Sequence, residues 1–287
     1  MELRFLGTSA GEQYPGLWCT CANCEEARRL GGRNIRSNAF TYVAPNILID
    51  LPPGTSNQMT RFGLRLPDME HVLFTHSHED HLDPFYLRWR ERDASVPLPP
   101  PRTAIGPRFS EAKPLHVYCN EAIYRQLASP SWGFDDYAFR LVKLHLVQPF
   151  QRYEPGSFAF VPLRAHHGGG REVALNYIVE KEGKRLLYAL DTGWPLSETY
   201  EAIRSCTYDL VVVEGTFGYG ADVEEHMNLD KAERLRSLFL EDGLIKEETP
   251  FCVSHICPHH TPVHDEIAPL FARRGITIAY DGLVINV

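Results

Sequence analysis

The chain has no surplus of positive charge: 29 lysines and arginines stand against 37 aspartates and glutamates, a net charge of −8. A generic nucleic-acid surface needs a basic stripe, so that class is disfavoured. A small anionic substrate remains compatible, because bound divalent cations would invert the local field. Long apolar runs are missing too. None approaches the roughly 20 residues that cross a bilayer, and Met1-Glu2-Leu3-Arg4-Phe5-Leu6 lacks the apolar core of a signal peptide. The expectation is a cytoplasmic protein with no membrane partner. Cysteine is sparse and odd in number, seven in 287 residues, and three crowd between Cys19 and Cys24. In a reducing compartment that pattern favours metal over disulfides. What remains is ordinary for a globular protein, 44% hydrophobic and 23% charged, and long enough for a large core.

Short apolar, β-branched runs recur along the chain. Strands are expected at Leu3–Leu6, Ile47–Ile49, Val72–Phe74, Leu115–Tyr118, Phe158–Leu163 and Tyr177–Val179. Others are expected at Leu186–Leu190, Leu210–Val213, Phe251–Val253, Ile276–Ala279 and Leu283–Ile285. Helices fit Cys24–Leu30, Asn120–Leu127, Ser197–Arg204 and Leu229–Leu240, the last combining strong helix formers with an apolar stripe. His264–Arg273 reads as a helix that tolerates Pro269 only as a kink or boundary. Many strands with interspersed helices suggest two packed sheets with helices outside. Val96–Pro114 is too rich in proline for regular structure and reads as an insertion, either inert or forming a wall over a site.

The most informative stretch is Phe74-Thr75-His76-Ser77-His78-Glu79-Asp80-His81, directly after Val72-Leu73. Alternate residues leaving a strand project to one side, so His76 and His78 can grip one metal ion. Asp80 and His81 follow as the chain turns and can reach a second. Imidazole and carboxylate together suit zinc, manganese or iron. Three further strands run into candidate ligands: His166 or His167 before three glycines, Asp191 in Asp191-Thr192-Gly193, and His255 after Val253-Ser254. A carboxylate such as Asp191 can bridge two cations, one on each oxygen.

In this order, His76-x-His78-x-Asp80-His81, then His167, Asp191 and His255, the chain resembles the metallo-β-lactamase superfamily. The likeness runs over nearly the whole length and implies one α/β domain, 1–287, a four-layer αββα sandwich with its ligands on loops at one edge. It also implies that His76, His78 and His167 take one divalent ion and Asp80, His81 and His255 the second. Asp191 would lie between them and Asp50 would support the site without ligating. His167 is preferred to His166 because the family's histidine directly precedes glycine.

Trp18-Cys19-Thr20-Cys21-Ala22-Asn23-Cys24 places three thiols where a structural zinc needs four ligands. After Leu6-Gly7-Thr8-Ser9-Ala10-Gly11 this knuckle resembles the phosphodiesterase branch of the superfamily, typified by the phosphoribosyl 1,2-cyclic phosphate phosphodiesterase of phosphonate breakdown. The branch places its fourth zinc ligand where this chain has Pro258, which cannot ligate. Cys257 or His259 could substitute, and Cys257 is favoured because thiolate suits a cysteine-rich site. His226, in Asp222-Val223-Glu224-Glu225-His226-Met227-Asn228, matches a branch histidine that protonates the leaving group, although Asn228 could serve only to cap the next helix.

The resemblance therefore implies a hydrolase with two active-site cations and one structural zinc. It would act on small cyclic or nucleotide-like phosphodiesters, with water shared by the cations as nucleophile and His226 and Asp80 taking part in catalysis. A thioesterase or lactonase type of carbonyl hydrolase, or an ancillary protein of cofactor biosynthesis without turnover, are the alternatives. A tRNA-processing nuclease is disfavoured because Arg102, Arg108 and Lys113 are too sparse to hold RNA. The partner expected is a small phosphodiester, not nucleic acid, with a homodimer left open.

Overall fold

The computed structural model describes residues 1–90, 113–129 and 141–287. All but the last two residues of the proline-rich stretch 96–114 lie outside that set. Its first sheet contains β1 (Glu2–Gly7), β2 (Phe40–Val43), β3 (Ile47–Ile49), β4 (His71–Leu73), β5 (Leu115–Cys119) and β6 (Val142–Leu146). The second contains β7 (Phe158–Arg164), β8 (Leu175–Lys181), β9 (Lys184–Ala189), β10 (Leu210–Glu214), β11 (Phe251–Ser254) and β12 (Thr277–Ile278). The chain then returns to the first sheet as β13 (Val284–Asn286). Strand orders are β13-β1-β2-β3-β4-β5-β6 and β12-β11-β10-β9-β8-β7.

Seven α-helices are described: α1 (Ala22–Leu30), α2 (Thr55–Arg61), α3 (Pro84–Arg90), α4 (Glu121–Leu127), α5 (Ser197–Ile203), α6 (Leu229–Glu241) and α7 (His264–Ala272). Their apolar faces explain the layering. Leu3, Phe5, Ile49, Leu73, Phe160, Tyr177, Tyr188 and Val212 fill the space between the sheets. The alternate residues of the first sheet, among them Leu48, Val72 and Val117, pack on Met59 of α2, Leu87 of α3 and Ile123 of α4. Those of the second, among them Val211, Val213 and Val253, pack on Ile203 of α5, Leu235 and Phe239 of α6 and Ile267 of α7. Period-two alternation thus feeds two cores per sheet, which is the αββα arrangement. No helix among the described residues is long and apolar enough to cross a membrane.

Asn228 caps α6 as the sequence suggests, and Asn120 caps α4 instead of opening it as a helical residue. Asn120 Oδ1 accepts from Ile123 N at 2.9 Å to start α4, and Asn228 Oδ1 accepts from Lys231 N at 2.9 Å to start α6. Pro269 lies inside α7 instead of ending it. Strands β3 to β6 run parallel, as do β9 to β12. The carboxyl ends of several parallel strands therefore open toward one edge, the place where α/β sheets gather ligands.

Candidate metal centre

Five chain segments deliver side chains to that edge. Residues 75–81 follow β4, His167 follows β7, Asp191 follows β9, Glu214 ends β10 and His255 follows β11. Asp50, Asp191 and His255 all hold positive φ, 67°, 46° and 57°. Such backbone is unfavourable for residues with a Cβ and persists where surrounding packing enforces it, commonly at functional sites. Each lies within two residues of the carboxyl end of a strand.

Two separate sets of donor atoms result, and a third group, Asp191, Glu214, His226 and His255, overlaps the second. In one, His76, His78 and His167 bring ligand atoms within 4.8 Å of one another. His78 Nδ1 lies 2.9 Å from His76 Nε2 and 3.3 Å from His167 Nε2. In the other, Asp80, His81, Asp191 and His255 meet the same 4.8 Å limit. Asp191 Oδ2 sits between the sets, 2.5 Å from His81 Nε2, 3.1 Å from His255 Nε2 and 3.8 Å from His76 Nε2. The neighbour of the chosen histidine, His166, faces outward to Glu224, 3.5 Å away.

The rings are oriented from behind. His81 Nδ1 donates to Asp50 Oδ2 at 2.8 Å, and Asp50 also accepts from Thr75 N at 2.8 Å and from the Thr75 hydroxyl. His76 Nδ1 donates to Thr75 Oγ1 at 3.0 Å, and His255 Nδ1 to Thr216 Oγ1 at 2.7 Å. His167 Nδ1 faces Glu225 O at 3.4 Å. With Nδ1 occupied, each of these four rings turns Nε2 to the centre, the tautomer control typical of ligand histidines. Asp50 thus supports the centre without entering it.

Electrostatics describe a centre organised for positive charge. Burial opposes ionisation of Asp191, but His255 and His81 outweigh it and hold the carboxyl well below its ordinary range. Burial likewise opposes charge on His81, while Asp80, Asp191 and Asp50 push it well above its usual value. His76, buried and facing His81, is driven well below. Asp191 Oδ2 is fully buried and crowded by the Nε2 atoms of His81 and His255 without well-aligned hydrogen-bond geometry. Burying a carboxylate is costly unless charge offsets it, and cations among these five histidines and two aspartates would do so. The donor set fits divalent transition ions.

His226 stands beside this centre. Its Nδ1 is 3.0 Å from Glu214 Oε2 and 3.6 Å from Asp191 Oδ1. Burial would lower its pKa, but Glu214 and then Asp191 raise it. Glu214 itself is fully buried and accepts from Thr192 N at 3.1 Å, Met227 N at 2.8 Å and the Thr216 hydroxyl. Glu214 is a site residue absent from the sequence analysis, although it carries a readable signal: like Asp50 and Asp191, it is a carboxylate closing a buried apolar strand.

At the knuckle, Cys19, Cys21 and Cys24 bring their sulfur atoms within 4.8 Å of one another. Cys21 N donates to Cys19 Sγ at 3.4 Å and Gly16 N to Cys24 Sγ at 3.3 Å. Two nearby residues are candidates for a fourth ligand. Neither Cys257 nor His259 belongs to this group of sulfurs, and His259 Nδ1 lies 3.8 Å from Cys19 Sγ. At Cys257 the backbone is still held against the second sheet, N bonded to Thr216 O at 3.3 Å. Only the turn beginning at Pro258 swings over the knuckle, where Asn23 Nδ2 donates to Pro258 O at 2.8 Å.

Residues 45–238 match the beta-lactamase superfamily domain. Coenzyme PQQ synthesis protein B of Cupriavidus necator is 26% identical over 313 residues, covering 99% of each chain. Among solved structures, Zn(2+)-bound PqqB from Methylobacterium extorquens superposes with a TM-score of 0.74 at 19% identity, covering 100% of both chains. A diphosphatase from the PhnP family superposes with a TM-score of 0.72 at 22% identity, covering 99% of this chain and 96% of that one. The strand orders, the two flanking helical layers and the domain match together establish the fold and the membership: the chain belongs to the beta-lactamase superfamily.

Proposed function

We propose that the protein is a metal-dependent hydrolase of small phosphodiesters, with His76, His78 and His167 holding one divalent cation and Asp80, His81 and His255 a second, on either side of Asp191. When bound, such cations supply Lewis acidity and make water acidic enough to attack at neutral pH. The observation that carries the choice of phosphorus is the Glu214–His226 pair beside Asp191, at 3.0 Å. Glu214 accepts from His226 Nδ1 and favours the protonated ring. His226 Nε2 is then the atom that gives a proton to the departing alkoxide. Loss of a poor alkoxide leaving group gains most from such an acid, on the order of 10²–10⁴-fold. The buried Glu214 is itself fixed by two backbone amides, so the acid is preorganised. At the knuckle, Cys19, Cys21, Cys24 and His259 would hold a structural zinc.

A second reading rests on the full-length match to a coenzyme PQQ synthesis protein, 99% of each chain. In that reading the same centre serves a step of cofactor synthesis instead of diester cleavage. Its supporting observation is overall similarity, whereas the acid pair is a local chemical feature. A panel of bis-p-nitrophenyl phosphate, a nucleoside cyclic phosphate, thioesters and lactones distinguishes the readings. Cleavage of the phosphodiesters supports the first. Turnover of thioesters or lactones alone, or of nothing in a fully metal-loaded protein, rejects it.

A further inference from the structure

Glu172 lies in the turn between β7 and β8, five residues after His167, yet its carboxylate is spent on a different loop. Ser77 N donates to its two oxygens at 3.2 and 3.1 Å, and Ser77 Oγ donates to Oε1 at 2.8 Å. Asn120 Nδ2 donates to Oε2 at 2.8 Å and to Val173 O at 2.9 Å, while Asn120 Oδ1 caps α4. Ser77 is the residue between His76 and His78. One carboxylate therefore joins the loop that carries two histidines of the three-histidine set to the loop that carries the third.

Neighbouring contacts keep the join short. Leu175 N donates to Thr75 O at 2.8 Å, and Ala165 N to Ala174 O at 2.9 Å closes the turn that carries both His167 and Glu172. Gly168 holds φ +95°, which disfavours a Cβ, and an added Cβ would press against Glu172 Cγ at 3.3 Å. Among the described residues, the hydrogen bonds of Glu172 go to Ser77 and Asn120 and none to Asp80, His81 or His255. Thr75 and Asp50 orient His81, and Thr216 orients His255.

We infer that Glu172 is a positioning residue for the three-histidine cation site alone: it sets the separation of His167 from His76 and His78 through Ser77. This rests on the reading that those three histidines share one cation. Charge-assisted bonds from a backbone amide and a hydroxyl are strong enough to fix a loop, and loss of an orienting group behind ligands typically weakens metal binding by about 10- to 100-fold.

The test is zinc titration of the full chain against a competing chromophoric chelator, for wild type, Glu172→Ala, Glu172→Gln and His167→Ala, with unfolding midpoints in parallel. His167→Ala identifies which binding event belongs to the three-histidine set. The expected result is that Glu172→Ala weakens that event about 10- to 100-fold and leaves the other unchanged. Glu172→Gln keeps one acceptor oxygen and falls between; being nearly isosteric, it serves if the alanine variant fails to fold. Wild-type affinity at both sites in the variants, whatever their unfolding midpoints, assigns Glu172 a merely structural role and overturns the inference. A wild-type chain that binds no zinc beyond the knuckle overturns the proposed function instead, and the inference with it.

Discussion

Asp191 Oδ2 and His81 Nε2 approach to 2.5 Å in the buried part of the centre, with His255 Nε2 3.1 Å from the same oxygen. Both donor sets lean on this carboxylate. Replacing Asp191 with Ala should reduce active-site metal from two ions per chain to one or none and cut hydrolysis by more than about 100-fold, since each ion contributes several kcal/mol to the transition state. Elemental analysis alongside turnover checks this. Full occupancy in the variant would contradict the assignment.

His226 and Glu214 should separate by leaving group. Substituting His226 with Gln removes the proton donor, so a diester with an alkyl alkoxide should slow by about 10²–10⁴-fold. Bis-p-nitrophenyl phosphate, whose leaving group needs no proton, should slow far less. Glu214→Gln should follow the same pattern more weakly. Equal losses on both substrates, or loss of metal in His226→Gln, would show that His226 acts on the centre and not on the leaving group.

The knuckle makes a discriminating pair. His259→Ala should lower zinc by one equivalent, whereas Cys257→Ala should not, because His259 Nδ1 lies 3.8 Å from Cys19 Sγ. Zinc content of the two purified variants decides it. The opposite pattern would make Cys257 the fourth ligand.

Stability should depend on His264 in acid. His264 is buried, its Nδ1 accepts from Arg36 Nη2 at 3.1 Å, and burial and then Arg36 push its pKa down to about 4 from an ordinary 6.5. A depressed pKa contributes stability that is fully present above about 6.5 and lost as pH falls toward 4. Asp281, which burial raises to about 6, titrates in the same window with the opposite sign. The difference between wild type and His264→Gln isolates the histidine. Between pH 7.5 and pH 5 wild type should lose about 2 kcal/mol relative to the variant in urea unfolding. A pH-independent difference would contradict the buried neutral ring.

Much of this architecture can be read from residues. Buried strands ending in His or Asp are legible because apolar runs and ligand chemistry are both local: Val72-Leu73 before His76, Leu190 before Asp191, Val253 before His255. Strands β2 and β6 and helices α2 and α3 escape the same reading. Thr55–Arg61 has Met59 as its one buried apolar side chain, and α3 starts on a proline that reads as a breaker. Glu214 could have been found by the strand-end reading that finds Asp191. Glu172 could not, because Ser77 and Asn120 reach it only through tertiary pairing. The fourth knuckle ligand is not legible in the same way, because thiol chemistry is visible at Cys257, whereas the turn at Pro258 that brings His259 Nδ1 to 3.8 Å from Cys19 Sγ is not.

The account stands most directly on anomalous scattering from crystals of the full chain grown with excess zinc and soaked with a nucleoside cyclic phosphate. It predicts two peaks flanking Asp191, one against His76, His78 and His167 and one against Asp80, His81 and His255, with phosphate density between them and His226. A centre that stays free of metal while the knuckle between Cys19 and His259 fills, with no phosphate bound at the strand ends, would contradict it.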